Sequence, residues 1–380
     1  MKNRPFYTKI DKNIDQDFSD EIKLYLQNKF TLREKQSYSN FQEESYINFW
    51  EIVLKKIFTG EDAFIELKKC YPQLNFPIET DIEKSEFYKN LVLKGKTDCI
   101  NIVTYLKLAD TKSFYLYLHE SIAGRIPILT ISNKEDFTSI IQCLLYKNNP
   151  INIPLSMGAV LINGINNWER LYLLKIKWLG NNPLGDWNKE FFNNIEQYKF
   201  LYKDQLIILS KKPYSNVSAS ILGIPDDLWI SQSISIRQEH ECTHFYTLKR
   251  YGQISNNLHD ELIADYIGII KTIGYYNKEW MLLFMGLEEF PKYREGARLE
   301  NYVKESSLSL EDFRQLTKIV KNAIENIFTF DKTLGKLKSN KDQMCRIEAL
   351  CETDLLILAS QNGANFVTQK YYENFKLEFV

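Results

Sequence analysis

The sequence predicts an α+β protein: a small mixed sheet in the middle of the chain, a helical N-terminal extension and a mostly helical C-terminal part. Three observations carry that expectation. In the first 80 residues, and again beyond about residue 230, apolar residues recur at three- and four-residue steps among charges, which is the helical period. Between these regions, short β-branched and leucine-rich runs are bounded by Gly, Asn and Pro turn signals, as strands are. A chain of 380 residues, 44% hydrophobic and 26% charged, can bury the sizeable core that such an architecture needs.

Taken in order, 20–30 and 43–58 read as helices. The run Ile126-Pro-Ile-Leu-Thr-Ile131 reads as a strand, and Pro127, which lacks an N–H to donate, suits an edge or a strand start. A helix is expected over 136–146. The polar, proline-containing stretch 147–154 is the best candidate boundary, dividing an N-terminal helical or mixed domain of unassigned role (1–150) from a metal-binding part (151–380). Strands are expected at 159–165, 171–178 and 205–210, and long helices at 310–328 and 341–358.

Composition excludes several functions. A formal net charge of -1 provides no field for nucleic acid or an anionic membrane surface, so neither is expected as a partner. The N-terminal residues run into charged sequence without the apolar stretch of a secretory signal, and no run approaches the roughly 20 apolar residues of a membrane span. Six scattered cysteines without a CxxC pair suit reduced thiols, so a cytoplasmic location is expected. No phosphate-cradling glycine loop and no GxSxG elbow occurs.

The informative segment is His240-Glu241-Cys242-Thr243-His244. On a helix, residues four apart share a face, so both imidazoles can meet one ion while Glu241 borders the same site. Zn²⁺ suits such a pair, and a catalytic zinc needs three protein ligands with water in the fourth position. Downstream, His259-Asp-Glu-Leu-Ile-Ala-Asp265 supplies Glu261 as third ligand, with Asp265 one turn on to orient a ligand imidazole. Cys242 falls on the opposite face as a packing thiol, and His259 lies off the ligand face near the start of the second helix. His119-Glu120 begins a similar pattern, but position 123 is Ala, which leaves no ligand pair.

HExxH followed on the next helix by ExxxD resembles the gluzincin metallopeptidases, the thermolysin-like branch of the zincins, over about residues 232–270. The resemblance implies a zincin-like fold, in which a small mixed sheet packs on the active-site helix. It also implies a zinc-dependent hydrolase cleaving peptide or protein substrates, with His240, His244 and Glu261 on zinc, Glu241 as general base and Asp265 orienting a ligand histidine. An extended substrate would then lie along an edge strand before the helix, at 205–210 or 215–219. All four histidines lie at or before residue 259, so the family's downstream transition-state donor would have to be a Tyr, Arg or Asn. A zinc hydrolase of a non-peptide amide and a catalytically silent, zinc-stabilised interaction protein are the alternatives.

Overall fold

The computed structural model describes residues 18–30, 35, 41–95, 105–252, 257–304 and 306–377. It is α+β, 60% helical with one four-stranded mixed sheet, and divides into two units, Phe41–Asn216 and Met1–Asn40 with Val217–Val380.

The 41–216 unit contains the sheet. Its strands are β1 (Tyr115–Ser121), β2 (Gly124–Ile131), β3 (Ala159–Asn166) and β4 (Lys203–Ser210), in the order β1-β2-β4-β3. β1 and β2 form an antiparallel hairpin, β2 runs parallel to β4, and β3 closes antiparallel on β4. Pairing of β2 with β4 begins only at Ile128, so Pro127 sits where β2 has a neighbour on one side alone. Helices Ile47–Phe58 and Lys134–Leu145 bury Trp50, Val53, Phe137 and Ile140 in one cluster with Leu129, Ile131, Leu206 and Ile208 of the central strands.

Three sequence expectations are corrected here. Strands on both sides of residue 150 belong to one sheet, so the 147–154 stretch lies inside a unit, and the divisions fall between Asn40 and Phe41 and between Asn216 and Val217. The segment 171–178 is helical, part of Trp168–Asn181. Its alternation of Lys175 and Lys177 with Ile176 and Trp178 imitates a strand, but Asn167 caps the helix by accepting from the Arg170 N–H at 3.1 Å. Leu171 and Leu174, three apart, pack with Ile195 and Tyr202. Finally, neither stretch expected as a substrate-binding edge is one: β4 is paired on both sides, and 215–219 is a 3₁₀ turn leading into the short helix Ala219–Leu222.

In the other unit the dominant feature is a pair of helices, the motif helix Asp226–Tyr251 and a second helix Leu258–Ile273. Gly252 ends the first at φ 70°, a left-handed conformation that glycine adopts without a Cβ penalty. Residues 253–256, which follow it, lie outside the described residues. Asn257 then caps the second helix, accepting from the Asp260 N–H at 3.0 Å. The longest of the helices that follow are Leu310–Leu334, Asn340–Cys351 and Gly363–Leu377. The N-terminal helix covers Asp20–Tyr25 and stops before Phe30, because the Asn28 side chain turns to the backbone instead, donating to the Cys351 carbonyl and accepting from the Phe30 N–H, both at 2.9 Å. Among the described residues no helix is long and apolar enough to cross a membrane.

The two helices touch at Gly268, where a Cβ would lie 2.7 Å from the Ile236 carbonyl oxygen. Alanine there gains about 1 kcal/mol of helix propensity, yet overpacking against a backbone atom costs about 1–3 kcal/mol. Gly268→Ala is therefore expected to lower the thermal midpoint; a variant melting above the parent would refute the close-approach role.

Candidate metal centre

Between Ile236 and Thr247 every side chain of the motif helix except Gln238 is buried, including Arg237, Glu239, His240, Glu241, Thr243, His244 and Thr247. A helix that buries its polar face needs partners for it. Thr243 and Thr247 return their hydroxyls to backbone carbonyls of the preceding turn, Glu239 at 2.7 Å and His244 at 3.1 Å. The two histidines turn toward the second helix.

His240 and His244 bring their Nε2 atoms to 3.0 Å from each other. His240 Nε2 lies 3.4 Å from Oε2 of Glu261, and His244 Nε2 lies 3.5 Å from its Oε1. The three side chains offer ligand atoms that all fall within 4.8 Å of one another, and Glu241 is outside this converging set. For comparison, four tetrahedral ligands on zinc bonds of about 2.0–2.1 Å stand about 3.3–3.4 Å apart.

The outward ring nitrogens meet aspartates. His240 Nδ1 is 2.8 Å from Oδ1 of Asp265, and His244 Nδ1 is 3.2 Å from Oδ2 of Asp260; both aspartates are fully buried. The hydrogen bond at His240 fixes its tautomer and ring plane, leaving Nε2 as the inward donor. Burial opposes charge on His240, but the hydrogen bonds of Asp265 and Glu261 outweigh it and leave its pKa above the ordinary histidine value. The same opposition is resolved more strongly at His244, where Asp260 and Glu261 hold the pKa well above that value. Burial would raise Glu261, yet the two histidines keep its carboxyl well below the usual range. Three carboxylates around two imidazoles thus make a site whose electrostatics favour a cation.

A third element contributes. Gly286, at φ 77°, ends the helix Lys278–Met285, and a Cβ on it would meet that of Ala297 at 2.4 Å. This close approach lays the following turn down so that Arg298, at the start of the short helix Leu299–Val303, reaches the centre. Its guanidinium binds both Asp265 oxygens, at 3.0 and 2.8 Å, and Oε2 of Glu261 at 2.7 Å. Tyr302 donates to the same Oε2 at 2.9 Å and itself accepts from Arg298 Nε.

The structure therefore brings His240, His244, Glu261 and Asp265 together, with Glu241 buried beside His240 on the motif helix. Cys242 is buried, and burial pushes its thiol pKa well up. His259 is buried away from the cluster, with Nε2 3.0 Å from the Leu350 carbonyl; burial lowers its pKa to about 4, so it is a neutral packing group. His119 lies on β1 in the sheet-bearing unit. Sequence reasoning missed Asp260, Arg298 and Tyr302. An acid directly before Glu261, in the first turn after Asn257, was the available signal for Asp260; nothing local marks the other two.

The chain belongs to a family of unknown function, DUF7005, whose sequence profile matches residues 10–362. No curated protein and no solved structure matches it.

Proposed function

We propose that this member of the family is a zinc-dependent hydrolase, a metallopeptidase of the gluzincin kind, with His240, His244 and Glu261 holding the metal. The observation that carries the reading is the convergence of these three donors while each imidazole presents its other nitrogen to a buried aspartate. A structural zinc site is ordinarily closed by a fourth protein ligand, and among the described residues the converging set has three members. The zincin-like fold itself belongs to this proposal.

Zinc at this position would supply a Lewis acid that acidifies water and polarises a carbonyl. Glu241 would accept the proton that the attacking water loses and return it to the leaving amine. Asp265 would hold His240 in the tautomer that presents Nε2 inward, and Asp260 faces Nδ1 of His244. Substrates on this reading are peptides or proteins.

The test is the metal content of the chain purified without added metal, together with mass spectrometry of a peptide library incubated with it. About one zinc per chain and cleaved products are expected. A zinc-loaded chain that cuts no peptide but hydrolyses another amide, or that only binds a partner, would replace the peptidase reading. The two aspartates give a finer check: Asp260→Ala and Asp265→Ala should each weaken zinc affinity about 10–100-fold, measured by chelator competition. Affinity equal to the parent's in both would remove their orienting role.

A further inference from the structure

We infer that Arg298 and Tyr302 are a positioning pair that occupies Oε2 of Glu261, so that this residue serves the metal through Oε1 alone and a coordination position stays free for water. The inference rests on the zinc reading above. Its starting point is the unequal treatment of the two carboxylate oxygens. Oε2 accepts from the Arg298 guanidinium at 2.7 Å and from the Tyr302 hydroxyl at 2.9 Å, whereas Oε1 receives neither. A carboxylate oxygen has two lone-pair sites, and two donors at these distances engage both. Glu261 could in principle chelate an ion with both oxygens; with Oε2 engaged, chelation requires breaking a charge-assisted hydrogen bond.

The pair is held from several directions. Arg298 forks onto both oxygens of Asp265, the residue that orients His240, so one guanidinium links a ligand to the support of another ligand. Tyr302 is fixed by Arg298 Nε, and its backbone carbonyl accepts from the Tyr25 hydroxyl at 3.3 Å. Arg298 also withdraws charge from Glu261, which makes the carboxylate a weaker donor and the bound ion a stronger Lewis acid. In two other buried acidic clusters donors reach both carboxylate oxygens. Asp204 is closed by Trp50, Tyr71, Asn167 and Arg170, and Asp331 by Tyr266, Arg346 and the Tyr276 N–H, which makes them structural ties.

X-ray absorption at the zinc edge, on the full chain loaded with one equivalent of zinc, tests the pair. The parent should show four light-atom ligands. Tyr302→Phe, nearly isosteric, and Arg298→Lys, which keeps the charge but loses the fork, should each move the coordination number toward five as Oε2 becomes available. Zinc affinity should shift by about tenfold, as for other residues supporting a ligand. A merely structural role would lower the thermal midpoint and leave the absorption edge unmoved, and that result in the folded Tyr302→Phe variant overturns the inference. A parent that takes up no zinc overturns the zinc reading itself, whatever the variants do.

Discussion

Glu241→Gln is expected to reduce hydrolysis by at least about 10²–10⁴-fold, the usual cost of losing a positioned general base, while zinc stoichiometry and thermal midpoint stay near those of the parent. The expectation follows from where Glu241 stands. It is only 6% exposed, adjacent to His240 on the same helix, and outside the three converging donors, so the ion does not require it. Glutamine matches its shape and keeps a hydrogen-bonding side chain in place, which favours a folded variant. Steady-state cleavage of the best substrate from the peptide library, beside elemental analysis of the same preparation, makes the measurement. Comparable rates in parent and variant would show that the carboxylate does not carry the proton.

The second large effect concerns the metal itself. His240→Ala combined with His244→Ala should take zinc content from about one per chain to near zero, since Glu261 alone cannot hold the ion against solvent. The thermal midpoint should fall as well. An ion present at about 1,000 times its Kd contributes about 4.1 kcal/mol to the folded state, and the variant also leaves Asp260 and Asp265 without the imidazoles they face. Adding zinc should raise the midpoint of the parent and not that of the variant. A folded variant with undiminished zinc would dispose of this centre.

How far the site could be read from sequence depends on how local each part is. His240, Glu241 and His244 lie within five residues, and Glu261 and Asp265 follow on the adjacent helix, so helical periodicity alone groups them. Arg298 and Tyr302 reach Glu261 from 37 and 41 residues away, through a turn set by Gly286 and Ala297, and no period connects them to the motif. Asp260 was within reach, but next to Glu261 it reads as an ordinary acidic helix start. In the sheet, β2 and β4 were legible as apolar runs, whereas the order β1-β2-β4-β3, which puts β4 inside and rules it out as an edge, arises from pairings across more than 70 residues. The helix at Trp168–Asn181 was lost to a local alternation that tertiary packing of Leu171 and Leu174 overrides.

The division of the chain also bears on its synthesis. Met1–Asn40 belongs with Val217–Val380, so the sheet-bearing unit is an insertion within a discontinuous one. The first segment leaves the ribosome early, yet its anchors come late: Ser19 waits for Asp312, Asn28 for the Cys351 carbonyl, and Phe30 for Tyr251 and His259. At about 5–20 residues per second, the 176 inserted residues alone hold that segment unpaired for on the order of ten seconds or more. The inserted unit, continuous in sequence, can fold vectorially during this interval. The discontinuous unit can close only once Cys351 has emerged, which makes Ile22, Leu26 and Phe30, all buried in the finished protein, natural targets for a nascent-chain chaperone.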